Sequence, residues 1–327
     1  MSGHELRFLN IDSMQISHLV FASHLTCLAP SPATPYLTLR YGISLENLVK
    51  MSENTVRNKE FWSERSASYD SGFEKTIAMF TAALVEKRRF ISPDLEAAGP
   101  EKPVRLLDYA CGPGTVSRAL YPYVTQCRGI DLAPGMVEKY KDRAKLEGLT
   151  PEQMDAVEGD LHDPTSTATA LAAPDLWGFD VAAVGFGAHH FDDPTAVATR
   201  LVERLRPGGA LFIADLLPYV PPAGWLGDEK GEGGHHHHHH GHGHGHQQQQ
   251  QQKHGDGNGN EDIDYDRAIK TVARNGFSED DVRRMFEAAG AAQDFKFEIM
   301  PDIEMPQRDK IVRTVFFARG TKPAAAN

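Results

Sequence analysis

The 327-residue chain has few cysteines and no long apolar run. Its three cysteines, Cys27, Cys111 and Cys127, are sparse and odd in number, which argues against a disulfide framework and favours a reducing compartment. No stretch approaches the roughly 18 to 20 consecutive apolar residues that a membrane helix needs. The first residues also lack the order of a secretory signal. These features predict a cytoplasmic protein without a membrane span, with the mitochondrion as the alternative compartment.

Basic residues are outnumbered as well. The chain has 34 Lys and Arg against 45 Asp and Glu, which gives a formal net charge of -11 at pH 7. That sign repels a phosphate backbone, so nucleic acid is not an expected partner. With 40% hydrophobic and 24% charged residues, the composition is close to that of globular proteins, and the length suits one large domain or two ordinary ones. Composition leaves the oligomeric state open.

One segment departs sharply from this composition. Between Gly224 and Glu261 the chain carries six consecutive histidines, a Gly-His alternation and six glutamines. Such a segment lacks the apolar surface that offsets the entropy of ordering, so we expect a disordered insertion at 224–261 that binds metal only adventitiously. Residues 1–50 show little periodicity and several prolines, which predicts a poorly structured extension followed by one domain over 51–327.

Short apolar runs alternate with helical patterns in the rest of the chain. This alternation predicts an α/β fold with a doubly wound, seven-stranded, mostly parallel sheet. Helical sequence over 58–90 predicts an N-terminal helical cap, and Ser278 is expected to be the N-cap of a late helix. The expected parallel strands are 104–109, 128–132, 154–158, 179–185 and 210–216; the helices between them are 115–123, 134–147 and 194–205; a C-terminal antiparallel hairpin is expected from 295–300 and 314–318.

An acidic residue and a small-residue turn follow the first predicted strand. The sequence from Asp108 to Thr115 reads Asp-Tyr-Ala-Cys-Gly-Pro-Gly-Thr and leads into a helix. Ligands of parallel sheets bind at this position, where glycines permit close approach and the helix offers free N–H groups. A carboxylate there repels a pyrophosphate but attracts a cationic ligand. Asp131, at the end of the second strand, suits hydrogen bonding to the two hydroxyls of a ribose.

The chain resembles the class I S-adenosylmethionine-dependent methyltransferases over residues 58–320 apart from the insertion. The resemblance rests on the turn from Asp108 to Gly114, Asp131, Gly159-Asp160-Leu161, the loop from Phe186 to Phe191, and Arg206-Pro207-Gly208-Gly209. It is greatest for the small-molecule group that includes ubiquinone and menaquinone methyltransferases. One departure is Ala110, where the family usually has a glycine; alanine preserves the close approach if its φ is negative.

The resemblance implies a Rossmann-like fold, S-adenosylmethionine as cofactor, and methyl transfer to a small-molecule acceptor by direct in-line displacement. It places Asp108 near the methionine end of the cofactor, Asp131 at the ribose and Asp160 at the adenine. The residues that it assigns to cofactor binding are Asp108, Ala110, Gly112, Gly114, Asp131, Asp160 and Leu161.

Other roles are open for several of these residues. Asp108 and Asp131 are also suited to capping the helices that follow them, and Leu161 to packing. Met136 either touches the adenosine or fills the core.

Two adjacent histidines follow the fourth predicted strand. Because a histidine near neutrality accepts a proton from a hydroxyl, carbon acid or amine, His189 and His190 are candidate general bases. His190 is the favoured one, since Phe191 should pack inward and turn it towards the cleft. The alternative is a structural histidine that hydrogen-bonds the loop. Neighbouring residues seldom converge on a metal, so no metal site is expected.

Three further residues have a structural and a functional interpretation. Tyr69 and Phe61, in the N-terminal helices, either close over the ligands or pack in the core, and packing is expected. Cys111 is expected to be a small loop residue rather than a nucleophile.

Two rival functions are open at this stage. One is a methyltransferase-like, non-catalytic binding or regulatory protein. The other is a nucleotide-dependent oxidoreductase, against which Asp108 argues. No motif identifies the acceptor or distinguishes O-, N- and C-methylation.

Overall fold

The computed structural model describes residues 45–96, 102–162, 171–219, 265–304 and 312–324. The predicted insertion at 224–261 and nearly all of the predicted extension at 1–50 lie outside these ranges. Within the described ranges, no helix combines the length and apolar character that a membrane crossing requires.

Seven strands form the main sheet, and the predicted fold class is confirmed. The five N-terminal strands are parallel, and the last one pairs antiparallel with both of its neighbours. The strands are β1 Arg105–Tyr109, β2 Gln126–Asp131, β3 Met154–Glu158, β4 Phe179–Gly185, β5 Leu205–Leu216, β6 Gln293–Ile299, β7 Ile303–Glu304, β8 Val312–Arg313 and β9 Val315–Thr321. Their order in the sheet is β3-β2-β1-β4-β5-β9-β6, and β7 and β8 pair separately.

Eight α-helices accompany the strands in the described part of the chain. They are α1 Leu45–Arg65, α2 Tyr69–Glu86, α3 Arg88–Ile91, α4 Thr115–Leu120, α5 Pro134–Leu146, α6 Pro194–Arg204, α7 Tyr265–Ile269 and α8 Glu279–Ala289. Helix α1 begins upstream of both the predicted helix start at 58 and the predicted boundary at 51. Leu45, Leu48 and Val49 carry the i, i+3, i+4 spacing of an amphipathic helix, which is the signal that the sequence-based boundary missed.

The core occupies both faces of the sheet, as the alternation of side chains along a strand requires. Leu106 and Phe317 are buried on the face that packs against α2, α4 and α5. Their neighbours Leu107 and Phe316 are buried on the other face, against α6 and α8. Each fully buried Leu or Phe side chain contributes about 1.5–3 kcal/mol to folding, so the two faces together hold the sheet in register.

Two predicted element ends are shifted and one cap is confirmed. The structure ends α6 at Arg204 and starts β5 at Leu205 because Leu205 already pairs with Phe179; a register irregularity then accommodates the Pro-Gly-Gly turn. At α8, Ser278 is the N-cap, and its side chain and that of Asp281 accept hydrogen bonds from each other's backbone N–H. That reciprocal arrangement is a capping box.

The strand order positions the site. The chain moves outwards from β1 to β2 and β3, then returns to β4 on the other side of β1. Helices that leave β1 and β4 therefore diverge, and a crevice opens at the carboxyl ends of these two strands.

Candidate active site

A cavity of about 620 Å³ lies at this crevice. The carboxyl ends of β1, β2 and β4 form its floor, and residues of α1, α2 and the segment after α7 form its other walls. Of the residues expected to bind the cofactor, Asp108, Ala110, Gly112, Asp131 and Asp160 line this cavity. Gly114 and Leu161 are not part of its lining. Five of the seven predicted residues are thus brought together from three strand ends.

Asp108 caps a helix and also faces the cavity. Its Oδ2 accepts hydrogen bonds from the backbone N–H and the hydroxyl of Ser117, at 3.0 Å and 2.7 Å. Its Oδ1 is buried and has no partner in the described structure. Burial raises the pKa of Asp108 to about 7, although the bonds from Ser117 oppose that shift. A buried acceptor without a donor costs about 1–3 kcal/mol, so this oxygen is suited to meet a ligand's donor.

Asp131 joins the first turn to the start of α5. Its Oδ2 accepts from the backbone N–H of Gly112 at 2.7 Å, and its Oδ1 from that of Ala133 at 2.9 Å. Burial raises the pKa of Asp131 to about 6, and the two backbone bonds oppose that shift. Each carboxylate oxygen can accept a second hydrogen bond. The capping interaction therefore does not prevent hydrogen bonding to a ribose.

Ala110 does not have the negative φ that the sequence argument required. Its φ is +52°, in the left-handed region that favours glycine. That conformation costs an L-residue about 1–2 kcal/mol. A Cβ built at Gly187 would lie only 2.7 Å from the Cβ of Ala110, so the loop after β4 approaches this turn with no room for a side chain. The strained residue, Ala110, is part of the cavity wall.

Asp160 is held by a buried tyrosine. The hydroxyl of Tyr109 donates to Asp160 Oδ1 at 3.1 Å and accepts from the backbone N–H of Leu161 at 3.2 Å. The N–H of His162 also donates to Asp160 Oδ1, at 2.8 Å. Leu161 is 6% exposed and packs in the core. Its side chain therefore has the packing role that the sequence left open, and His162 lines the cavity beside Asp160 instead.

His189 forms a pair with an aspartate that the sequence argument missed. Its Nδ1 lies 2.7 Å from Oδ1 of Asp215, which is fully buried at the end of β5. Asp215 also accepts hydrogen bonds from the backbone N–H groups of His189 and Leu216, at 3.1 Å and 2.7 Å. With Nδ1–H donating to the carboxylate, Nε2 of His189 carries the free lone pair. The histidine itself lines the cavity.

His190 has a different environment from its neighbour. Its Nδ1 donates to the carbonyl oxygen of Thr271 at 2.9 Å, and its ring packs edge-on against Trp62 at 5.4 Å. Burial, and then the neighbouring His189, lower the pKa of His190 to about 3. Its backbone carbonyl accepts from Asn54 at 3.1 Å. Both histidines line the cavity, but His190 is fixed to the loop and stays neutral at physiological pH.

Aromatic side chains line much of the cavity. Burial and then the charge of Asp131 raise the pKa of Tyr69 to about 12, so its phenol stays protonated beside the cofactor turn. Phe61, by contrast, is 3% exposed and is not part of the lining. The rings that line the cavity, besides the histidines, belong to Trp62, Tyr69, Phe73, Phe80, Tyr109, Phe186 and Phe191.

Two other residues singled out by the sequence also line the cavity. Met136 is 2% exposed yet belongs to the cavity wall, so it contacts both the core and the site. Cys111 is buried, and burial raises its thiol pKa well above the usual value. The thiolate is the reactive form, so Cys111 is unsuited to act as a nucleophile.

No group of three His, Cys, Asp or Glu side chains in the described ranges has a geometry that fits a metal ion.

The sequence argument also missed residues outside the motifs. Asp215 follows the strand-end rule that identified Asp108 and Asp131, and that rule would have found it. Asn54, Trp62 and Arg313 carry no comparable local signal, because they reach the cavity only through tertiary packing.

The family model for the methyltransferase domain matches residues 82–292, more than half of the chain. The chain belongs to the methyltransferase-domain family. The match begins in α2 and extends to the last residue before β6, so it includes both the carboxylate turn and the His189–Asp215 pair.

Curated relatives of this methyltransferase chain match parts of it. An uncharacterized methyltransferase of Schizosaccharomyces pombe is 32% identical over 34% of this chain and 38% of its own length. A ubiquinone biosynthesis O-methyltransferase of Xanthomonas oryzae is 33% identical over 39% of this chain and 47% of its own length. The match to a demethylmenaquinone methyltransferase of Thermus thermophilus is longer, with 30% identity over 51% of this chain and 68% of the relative. The chain thus spans less than half the length of the first two relatives.

Proposed function

We propose that this protein transfers a methyl group from S-adenosylmethionine to a small-molecule acceptor. The observation that carries the proposal is the unpartnered, buried Oδ1 of Asp108, in a cavity that also contains Asp131 and Asp160. Together with Asp192, which also lines the cavity, these carboxylates oppose a pyrophosphate and favour a ligand with a cationic group and several hydrogen-bond donors. A nicotinamide dinucleotide is therefore the poorer fit.

The residues around the cavity suit the parts of that cofactor. We assign Oδ1 of Asp108 to an ammonium group of the ligand and the carboxylate of Asp131 to its ribose hydroxyls. Gly112 has open space where a Cβ would be, so a ligand can approach the backbone there. Asp160 retains Oδ2 as a free acceptor on the β3 side. When bound, S-adenosylmethionine supplies an electrophilic methyl group. As the bond to the acceptor forms, the methyl–sulfur bond breaks and its electron pair stays on sulfur.

The His189–Asp215 pair is the base that we assign to an acceptor with a transferable proton. Nε2 of His189 accepts the proton of the acceptor's hydroxyl, and Asp215 fixes the tautomer and stabilises the charge that forms on the ring. His190 is the weaker candidate, because a group with a pKa of about 3 has little tendency to take a proton.

Positioning is expected to contribute more than the base. Holding two reactants in line accounts for about 7–11 kcal/mol of a barrier, whereas base assistance gives about 10²–10⁴-fold in rate. The aromatic rings that line the cavity suit that positioning, because they exclude water and confine a flat acceptor.

Calorimetry tests the proposal without knowledge of the acceptor. We expect the purified full chain to bind S-adenosylhomocysteine and S-adenosylmethionine and to show no heat with NAD⁺. Replacement of Asp108 by Asn removes a charged acceptor while keeping the side chain's shape, and should weaken binding of both ligands about 10–100-fold. The exposed Asp142→Asn is the matched control and should bind like the wild type. NAD⁺ binding, or equal affinity in Asp108→Asn, would contradict the proposal.

A further inference from the structure

The main sheet ends at β6, which has a neighbour on one side only. Among the described strands, β6 pairs with β9 alone. The backbone N–H of Met300 donates to the carbonyl oxygen of Val315 at 2.8 Å, in the same register as the pairing of β6 with β9. Because successive residues of a strand direct their backbone groups to opposite sides, those of Phe297 and Ile299 face away from β9. Another strand can therefore pair with them.

The side chains of β6 form an apolar row on one face of this edge. Phe297 stacks on Phe316 of β9 with 5.0 Å between the ring centroids, and Phe295 packs against Phe286 of α8 at 5.3 Å. Both rings of β6 are partly exposed, and Ile299, which lies on the same face, is 66% exposed. Edge strands usually avoid an exposed apolar row, because such an edge pairs with other chains. The row is therefore suited to burial against a partner.

The opposite face of β6 carries two charges of opposite sign. Lys296 is exposed and forms no ion pair with the described residues. Glu298 lies two residues further on, and its Oε2 contacts Nζ of Lys87 at 2.7 Å, so its Oε1 is available for a second cation. A lone lysine on an edge strand opposes pairing. A lysine followed two residues later by a glutamate favours it when two copies pair antiparallel about a two-fold axis, because each charge then faces its opposite.

These charges select one register for such a pair. With Phe297 opposite the same residue of the partner, Lys296 lies opposite the partner's Glu298. Phe295 then lies opposite the partner's Ile299, and both contacts occur twice by symmetry. A pair centred on Lys296 or on Glu298 would instead place like charges opposite each other, which is destabilising. The register centred on Phe297 therefore combines opposite charges on one face with an apolar row on the other.

The other edge of the sheet lacks this complementarity. β3 forms that edge, and it contains Asp155 and Glu158 but no basic residue. Both carboxylates are paired within the chain, with Lys141 at 3.5 Å and with Lys59 at 2.5 Å. Self-complementarity is therefore a property of β6 and not of both strands that end the sheet.

We propose that β6 is an interface for a second copy of this chain, in which the two β6 strands pair antiparallel about a two-fold axis. The two sheets then join into one. The strand has seven residues, so the contact is smaller than most stable interfaces and gives a micromolar dissociation constant. Because β5 and β9 lie between β6 and β4, the cavity is away from this contact. The inference therefore does not rest on the proposed function.

Sedimentation velocity of the full chain tests the self-association. Between about 1 and 100 µM, the wild type should shift from monomer to dimer. Lys296→Glu creates two pairs of like charges across the axis and should raise the dissociation constant about tenfold or more. Combining Lys296→Glu with Glu298→Lys restores opposite charges and should return most of the lost affinity. Lys145→Glu, on the exposed surface of α5 near the β3 edge, is the matched control and should dimerise like the wild type.

Disulfide trapping tests the register. In a Cys27→Ser background, chains with Lys296→Cys are mixed with chains with Glu298→Cys under mild oxidation. Directly opposite residues have Cα atoms about 4.5–5.5 Å apart, which is within disulfide range, so the mixture should form a covalent dimer. Lys296→Cys alone should not, because the diagonal distance is about 7–8 Å. A covalent dimer of Lys296→Cys alone would show that the register is wrong.

Two results would overturn the inference. One is a wild type that stays monomeric up to about 100 µM. The other is a dimer that Lys296→Glu leaves unchanged, since another surface then forms it. Melting temperature and S-adenosylhomocysteine affinity, measured for every variant, separate loss of the dimer from loss of the fold. If a variant fails to fold, the wild-type concentration series and the cysteine mixture still decide. Absence of S-adenosylhomocysteine binding in the wild type would count against the proposed function alone.

Discussion

The two halves of the cavity are built in different ways. On the β1–β3 side, carboxylates at strand ends accept hydrogen bonds from the backbone N–H groups of the turns that follow the strands, as in the bonds from Gly112 and Ala133 to Asp131. On the β4–β9 side, side chains from separate segments are joined to one another or to carbonyl oxygens, as in His189 with Asp215 and Arg313 with Asn275. The first half therefore depends on the backbone of the turns, and the second on side chains that the folded protein brings together.

Under the proposed function, this difference divides the tasks of the two halves. The turns of the β1–β3 half would bind the cofactor through backbone groups and carboxylates. The acceptor would contact residues of α1, α2, the segment after α7 and β8, which also line the cavity. The predictions below test whether the two halves do act separately.

The largest effect is expected from the His189–Asp215 pair. With an acceptor found by an activity screen, His189→Gln should lower kcat about 10²–10⁴-fold, since the acceptor's proton then has no base. Asp215→Asn should lower kcat in the same direction and shift the pH profile of kcat, because Asp215 acts through the imidazole. Affinity for S-adenosylhomocysteine, measured by calorimetry, should stay within threefold in both variants.

His190→Gln is the matched control for this prediction and should change kcat less than tenfold. A larger loss in His190→Gln than in His189→Gln would restore the sequence-based preference for His190. A fall in melting temperature with an unchanged pH profile would reduce Asp215 to a structural role.

A smaller effect is expected from the carboxylate on the other half. Asp131→Ala should weaken S-adenosylhomocysteine binding about 10–100-fold by removing charged hydrogen bonds. Acceptor affinity should change little if the halves are separate. Because Asp131 also caps the start of α5, we expect a loss of about 1 kcal/mol in the free energy of unfolding, measurable by denaturant titration. Asp142→Ala, on the exposed face of α5, controls for the loss of one negative charge, and equal cofactor affinity in the two variants would refute the ribose assignment.

The smallest effect is the pH dependence of cofactor affinity. Asp108 and Asp131 have pKa values raised to about 7 and about 6, and a cationic ligand binds their ionised forms. Affinity for S-adenosylmethionine should therefore rise about tenfold between pH 6 and pH 8. Calorimetry of Asp108→Asn across the same range should show a weaker slope, and a wild-type affinity that is flat with pH would contradict the assignment.

The same shifts act in the opposite direction on the unliganded protein. Folded pKa values above the unfolded value of 3.8 stabilise the fold fully below about pH 4, and that contribution is lost as pH rises through 6 and 7. Thermal melts of the unliganded chain should show this trend, and a saturating cofactor should reverse it.

The sequence was sufficient for the sheet, and five of the seven residues expected to bind the cofactor line one cavity. Apolar runs bounded by turns located seven strands, acidic residues at strand ends pointed to Asp108 and Asp131, and the family resemblance added Asp160. Acidic residues after the strands could be expected to lie close together, because parallel strands have their carboxyl ends at one edge of the sheet. The start of α1 was missed because it lies within residues 1–50, which were predicted to be poorly structured on account of their prolines.

The rest of the site depends on packing that sequence spacing does not encode. Which of His189 and His190 is the better candidate base could not be inferred from their positions in the sequence. Their hydrogen-bond partners, Asp215 and Thr271, come from distant segments. The positive φ of Ala110 was unexpected for a non-glycine residue, and the close approach of Gly187 accompanies it. Arg313 lies in a two-residue strand that no periodicity predicts.

The two buried cysteines make local opening of this protein measurable by thiol labelling. Burial raises the thiol pKa of both Cys111 and Cys127 far above the usual range, so a thiol reagent reacts with them only when the structure opens locally. Cys111 lies inside the turn that follows β1, whereas Cys127 lies in β2, the second strand from one edge of the sheet. In a variant without Cys27, the labelling rates of these two sulfurs report two different motions. The rate at Cys111 measures local opening of the turn, and the rate at Cys127 measures unfolding of the sheet.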